Sequence, residues 1–304
     1  MMNALSQPRP VPRGCGICGA TSARELYTAR DRLRNSEHPF TIARCEGCGV
    51  LRTLPEMSDD ELAYFYPADY WGGEPSLDWI RKSQAEKTRF LAACEPRSGR
   101  LLDVGCGAGF FLRALDPKAW DPFGVEISRA AAAAAERVIG PLRIFNGTLT
   151  ASACEDEYFD VVTFWSALEH TNEPREQMVE ARRILKRGGT LIVQVPNAAS
   201  YQARWFGGDW FALDVPRHRY HFTVATLAGL LRSTGFEIYR TSFHSKAHNP
   251  HALRQSLKSR LYGPAAGALG RAAFLASIPF LRPFDYLMSA AGQGATLTVA
   301  ARAV

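Results

Sequence analysis

A chain of 304 residues with 46% hydrophobic, 22% charged and 11% aromatic residues can build one large domain and a small one, and its composition excludes wholesale disorder. The formal net charge of +6 is uneven: residues 245–304 carry seven Lys/Arg against Asp285 alone, and residues 13–54 carry seven Arg against four acids, which favours anionic partners such as a phosphorylated substrate or a membrane surface. No apolar run is long enough to cross a bilayer, and MMNALSQPRPVPRG lacks the apolar core of a secretory signal; the expectation is a cytoplasmic chain, with a peripheral position at the inner face of the membrane kept open, and with residues 1–12 as a Pro-rich tail.

Residues 13–54 open with CGICG (Cys15, Cys18) and close with CEGCG (Cys45, Cys48). A C-x2-C knuckle offers two sulfurs from one tight turn, and two knuckles supply the four soft ligands that tetrahedral zinc requires. A closed set of four thiolates leaves no open coordination position, so the ion is expected to be structural. Four thiolates on one Zn2+ also leave a formal −2, which offsets much of the local arginine charge and weakens a nucleic-acid role for this ribbon.

Residues 55–97 read as a helical linker. Ser58 and Glu61 form a capping box ahead of a short helix that stops before Pro67, and Leu77 to Ala93 reads as a longer helix. Tyr64, Tyr66, Tyr70 and Trp71 are available to stack on a ligand or to glue the linker to the core.

The main domain, residues 98–304, begins with an apolar strand, Arg100–Val104, followed by Gly105, Gly107 and Gly109 and then by a helix opening at Phe110. A strand–glycine loop–helix is where ligands bind in open α/β sheets. A dinucleotide fingerprint puts glycines at positions one, three and six; here they occupy one, three and five. Asp103, two residues before the first glycine, suits a cation or amine better than a pyrophosphate, which it would repel. Further strands are expected at 121–125, ending at Glu126, and at Leu142–Phe145, Tyr158–Phe164, Thr190–Val195, Phe236–Phe243 and Ala295–Arg302. Helices are expected after Ser128, over Glu173–Leu185 with Lys186-Arg187-Gly188-Gly189 as its stop, and over Thr223–Thr234. This alternation implies a doubly wound, mostly parallel sheet. Glu126, 23 residues beyond Asp103, is placed to accept both ribose hydroxyls of a nucleoside.

LLDVGCGAGFFL, GVEIS, FDVVTFWSALEH, ARRILKRGGTLIVQVPN, RHRYHFTVATLAGLLRSTGFEI and GATLTVAARA, in that order, resemble the successive motifs of class I S-adenosylmethionine-dependent methyltransferases. The double-cysteine leader is similar to the zinc-binding segment of a bacterial branch of that superfamily found in surface-polysaccharide and sugar-modification pathways. The resemblance implies a Rossmann-like sheet of seven strands with the last one antiparallel. It implies that Gly105, Cys106, Gly107 and Gly109 wrap the amino acid tail of S-adenosylmethionine, with Asp103 near its amine. Glu126, followed by Ile127, takes the ribose. Thr148 and Leu149 lie beside the adenine, with Thr148 where the family often has an acid. Trp165 and Ser166 line the methyl-donor pocket.

A hydroxyl acceptor needs a base, and the candidates are His170, His218 and His221. Asp214, Arg217 and Tyr220 cluster with the last two, and Arg217 or Arg219 is a candidate partner for a phosphate or carboxylate of the acceptor. They fall in a Trp- and Gly-rich segment, 197–222, that reads as a lid. Residues 245–293 read as a helical insertion: HALRQSLKSRLYG is amphipathic and basic, and ALGRAAFLASIPFLRPFDYLMSAAG is an apolar hairpin broken at Pro279 and Pro283. Such an arrangement, over 251–290, suits an interfacial membrane contact or a protein partner. The leading expectation is a methyltransferase acting on a hydroxyl of a small-molecule, glycan or lipid-linked acceptor. RNA methylation, and donor binding without catalysis, stand as alternatives; FWSALEH does not match the Asn/Asp-Pro-Pro-aromatic pattern of base-nitrogen methylation, so nucleic acid is not among the expected partners.

Overall fold

The computed structural model describes residues 14–33, 38–58, 61–62, 64–65, 75–95, 98–261 and 267–304. The expected tail and the aromatic residues Tyr66, Tyr70 and Trp71 lie outside the described residues.

The main sheet has seven strands: β4 (Gly99–Val104), β5 (Trp120–Glu126), β6 (Ile144–Asn146), β7 (Phe159–Trp165), β8 (Leu185–Pro196), β10 (Phe236–Ser242) and β11 (Thr296–Ala303). Their spatial order is β10-β11-β8-β7-β4-β5-β6. β4, β5, β6, β7 and β8 pair in parallel, while β11 runs antiparallel to both β8 and β10. Strands such as β7 are apolar on both faces because both are covered, and every residue of β7 except Asp160 is buried. From β4 the chain winds outward to β5 and β6, then returns past β4 to β7 and β8. That reversal opens a crevice at the carboxyl ends of β4 and β7, where open α/β sheets bind ligands.

The second sheet holds the cysteine segment. β1 (Ala23–Arg30), β2 (Pro39–Cys45) and β3 (Leu51–Leu54) form an antiparallel meander. A fourth strand, β9 (Tyr220–His221), comes from the main domain, with Leu51 opposite His221 and Arg52 opposite Tyr220. The two regions also share apolar cores: Cys15, Ile17, Cys45 and Val50 pack with Phe222 and Leu227, and Phe40 and Ile42 pack with Tyr201 and Trp210.

The helices are α1 (Leu77–Cys94), α2 (Phe110–Ala114), α3 (Arg129–Ile139), α4 (Pro174–Ile184), α5 (Tyr201–Phe206), α6 (Val224–Ser233), α7 (His248–Leu261) and α8 (Gly267–Ala290). Ser128 caps α3, and Thr223 and Thr226 close a capping box on α6. The Ser58–Glu61 box is also present, with the Glu61 N–H donating to Ser58 Oγ and the Ser58 N–H donating to Glu61 Oε2.

Three local expectations are corrected. The third strand begins at Ile144, because Leu142 has φ +66° and is 96% exposed. Lys186–Gly189 do not end a helix in a glycine cap; they are the opening of β8, bulged between the pairs Phe159–Leu185 and Val161–Thr190, and Lys186 spends its charge on Asp160 of β7 at 2.7 Å. The segment around Pro279 and Pro283 is one helix, α8, not a broken hairpin. Both prolines lie on its exposed side, while Phe274, Leu281, Asp285 and Ser289 turn inward. Each proline removes one backbone hydrogen bond, and burial of that inner face against α7 outweighs the loss.

Segment 197–222, whose composition suggests a lid, is packed into the interior. Trp210, Leu213, Val215 and Phe222 are buried. At Gly208 a Cβ would lie 2.1 Å from the carbonyl oxygen of Thr28, so the glycine serves a close approach to β1.

Candidate active site

The glycine loop sits at the crevice. Gly105, Gly107 and Gly109 have φ of +73°, +55° and +76°, a region that L side chains resist. A Cβ on Gly105 would stand 2.7 Å from the Cβ of Ala167, so the loop after β4 lies directly against the segment after β7. Cys106 is buried beneath that loop.

Two carboxylates flank it. Glu126, at the end of β5, accepts from the N–H of Gly107 at 2.8 Å and from the N–H of Ser128 at 2.7 Å. Each of its oxygens keeps a further lone pair. Asp103 is buried and accepts from Thr163 Oγ1 at 2.7 Å. Burial pushes its carboxyl up to about 7, against the opposing pull of Lys87 and of the Thr163 hydroxyl.

Lys87 is a residue that sequence reasoning missed. It projects from α1 toward Asp103, and its ammonium sits over the Trp165 ring at 5.5 Å from the centroid. With Phe90, Trp165, Gln194, Arg240 and Lys246 it lines a cleft of about 280 Å³. Inside this cleft Trp165 Nε1 and Gln194 Oε1 are buried without a hydrogen-bond partner among the described residues, an arrangement that a polar ligand would relieve. The other donor-site expectations fall around the same strand ends. Ser166 has φ +56° and is exposed, Ile127 is exposed, Leu149 is fully buried, and Thr148 Oγ1 lies 3.1 Å from Thr150 Oγ1.

Asp103 carries a pH prediction. A group whose pKa rises from 3.8 to about 7 on folding contributes stability that is full below about pH 4 and lost as pH rises through about 7. Asp103→Asn should therefore unfold at a higher temperature than the wild type at pH 8, by up to about 4 kcal/mol of stability, with the gap closing toward pH 4. Equal melting temperatures of the two ligand-free proteins across that range would refute it.

The histidines divide. His170 and His218 come together, with ring centroids 4.6 Å apart, beside the fully buried Glu169. Burial lowers the pKa of both imidazoles and raises that of Glu169 to about 8. His221 adjoins this pair, its ring centroid 6.4 Å from that of His218, but it lies in β9, buried, with Nε2 2.9 Å from Thr53 Oγ1.

Two acceptor candidates have structural partners. Arg217 is buried and binds Asp214 through Nε and Nη2, Asp31 through Nη2 at 2.8 Å and the Phe65 carbonyl through Nη1 at 2.9 Å. It is the internal counter-ion of two carboxylates, which leaves little of its fork for an acceptor. The Tyr220 hydroxyl accepts from the N–H of Gly16 at 2.9 Å and donates to the Asn172 carbonyl at 3.2 Å, tying a cysteine knuckle to the segment after β7.

The four cysteines Cys15, Cys18, Cys45 and Cys48 converge, their sulfurs all within 4.8 Å of one another. The pairs Cys15–Cys48 and Cys18–Cys45 stand at 3.7 and 3.6 Å.

Comparison with known proteins agrees with this architecture. A family model described as a methyltransferase domain matches residues 77–241. Ubiquinone biosynthesis O-methyltransferases are similar: that of Roseobacter denitrificans is 30% identical over 53% of this chain and 70% of its own length, and that of Methylococcus capsulatus 28% identical over 50% and 68%. Among solved structures, an S-adenosylmethionine-dependent methyltransferase from Mesorhizobium loti shares the fold at 19% identity and TM-score 0.50, covering 75% of this chain and 100% of that one. One from Archaeoglobus fulgidus does so at 18% identity and TM-score 0.50, covering 79% and 99%. With more than half its length matched by that family model and the seven-stranded order in place, the chain belongs to the class I S-adenosylmethionine-dependent methyltransferases.

Proposed function

We propose that the protein transfers the methyl group of S-adenosylmethionine to a hydroxyl of a small-molecule or glycan acceptor that is anionic or lipid-linked. The observation that carries this reading is the contact of the Gly105 loop with Ala167. It sets the donor loop two and three residues away from Glu169 and His170, a cluster suited to taking a hydroxyl proton.

The residues fit the donor. The loop offers backbone with no side chain in the way, and Glu126 keeps lone pairs for the two ribose hydroxyls. Asp103 is the carboxylate for the amine. Thr148 and Leu149 flank the adenine, and Trp165 and Ser166 line the sulfonium end. When bound, the donor supplies a methyl carbon already activated by a positive sulfur. The chain's own task is then approach geometry and exclusion of water, together with removal of the acceptor proton at Glu169, His170 and His218. The new O–C bond forms as the C–S bond breaks, and its electron pair stays on sulfur. His221, Asp214, Arg217 and Tyr220 support this cluster from behind.

The four sulfurs fit zinc. Ligands at about 2.3 Å in a tetrahedron stand about 3.8 Å apart, close to the two pair distances here. The acceptor class is supported by the cationic cleft of Lys87, Arg240 and Lys246 and by α8, whose Leu269, Phe280, Tyr286 and Leu287 are exposed. An apolar helix face with basic neighbours can rest in a bilayer interface. No helix among the described residues is long and apolar enough to cross a membrane.

The test is incubation with methyl-labelled donor and fractionated cell extract, followed by mass analysis. A labelled methyl ether in a lipid-extractable or anion-exchange-retained fraction is expected. Label on RNA, or donor binding with no labelled product in any fraction, would overturn the reading.

A further inference from the structure

We propose that Glu169, His170 and His218 bind a first-row divalent cation, such as Mn2+, Fe2+ or a second Zn2+, separate from the four-cysteine cluster. Three observations converge. One nitrogen from each histidine and a carboxylate oxygen of Glu169 all lie within 4.8 Å of one another. Ligands bound at about 2.0–2.2 Å stand about 3–4 Å apart, so a small contraction closes the site.

The imidazoles are oriented for it. His170 Nδ1 is 3.0 Å from the Arg217 carbonyl and His218 Nδ1 is 3.1 Å from the Ala212 carbonyl. A carbonyl only accepts, so each neutral ring carries its proton on Nδ1 and its lone pair on Nε2. This is the backing that metal-ligating histidines receive. His218 Nε2 faces Glu169 Oε1 at 4.0 Å and Asp214 Oδ2 at 3.8 Å, both too long for a hydrogen bond.

The third observation is Glu169 itself. Its side chain is 1% exposed, and neither carboxylate oxygen has a hydrogen-bond partner among the described residues. A buried carboxylate without a partner is costly. The nearby positive charge of Arg217 is already matched by Asp214 and Asp31. A bound cation supplies what Glu169 lacks. Two nitrogens and one carboxylate suit a first-row ion better than Mg2+ or Ca2+, and three protein ligands leave positions open for another oxygen.

On the reading that the acceptor hydroxyl arrives at this cluster, the cation gives the site its chemistry. A hydroxyl bound at an open position loses its proton more readily, as metal-bound water does; the proton passes to the partly exposed carboxylate of Asp214, whose Oδ2 stands 3.8 Å from His218 Nε2, while the imidazoles hold the ion.

The test uses the full chain as purified, with elemental analysis and Mn2+ titration followed by electron paramagnetic resonance. One Mn2+ site per chain is expected, or a second zinc that blocks it. Either should weaken about a hundredfold or more in Glu169→Gln and in His218→Ala, while circular dichroism and calorimetric binding of S-adenosylhomocysteine stay unchanged. Absence of any Mn2+ site in a folded chain carrying a single zinc would overturn the proposal. Transfer at full rate with the site empty would overturn its catalytic role and leave hydroxyl methylation standing. A loaded site with no transfer to any acceptor would instead count against the methylation reading alone.

Discussion

Glu126→Ala should weaken binding of S-adenosylmethionine and of S-adenosylhomocysteine by about a hundredfold or more, measured by calorimetry. Hydrogen bonds to an ionised carboxylate contribute about 1.5–3 kcal/mol each, and two ribose hydroxyls are at stake. The same carboxylate accepts from the backbone of Gly107 and Ser128, so alanine also releases the glycine loop from the end of β5. Glu126→Gln separates the two effects: its one remaining carbonyl oxygen can hold part of the backbone contact but loses the charge, and an intermediate affinity is expected. Wild-type affinity in the alanine variant would remove Glu126 from the donor site. Asp103→Asn should likewise bind the donor more weakly while the ligand-free protein gains stability, a trade common where a binding site holds a buried charge in readiness.

The second large effect is expected at the cysteines. If the cluster holds zinc as proposed, Cys45→Ser should reduce the zinc content of the purified chain and lower the melting temperature by about 10 °C or more, since structural zinc contributes on the order of 10 kcal/mol to small domains. Methyl transfer should fall with it, although no cysteine of the cluster is near the glycine loop in sequence. The route is β3: Thr53 Oγ1 donates to the His218 carbonyl at 2.7 Å, and the Thr53 N–H donates to the Arg219 carbonyl at 3.0 Å. Releasing β3 therefore releases the backbone that aims His218. Retention of both stability and transfer in a zinc-free variant would contradict this coupling.

Much of the fold was readable because its determinants are local. β4 and β7 are short apolar runs ended by a glycine loop or a polar turn, and the C-x2-C spacing needs no tertiary context. The candidates for the donor site could be named for the same reason, since Asp103, the glycines and Glu126 sit at strand ends. What escaped depends on partners far away in the chain. Arg217 presents itself as an anion binder until Asp31, 186 residues earlier, closes on it. Lys186 and Arg187 carry the charge of a helix terminus, but Asp160 on the neighbouring strand and Glu157 in the turn before it take it up. Glu169 stands next to the candidate base His170, yet nothing in the dipeptide reveals that its carboxylate is sealed from water. Lys87 did leave a trace: it falls on the same helical stripe as Ile80, Leu91 and Cys94, which are buried. A lysine on an apolar stripe is a signal that its ammonium has business inside.

The strand Tyr220–His221 has one more implication. Because it completes a sheet begun some 200 residues earlier, a fragment starting at residue 55 would carry an unsatisfied strand edge and an uncovered Phe222 at its surface. Such a truncated protein would be prone to self-association, and any attempt to graft this catalytic domain onto a different leader must first supply a replacement for that missing neighbour.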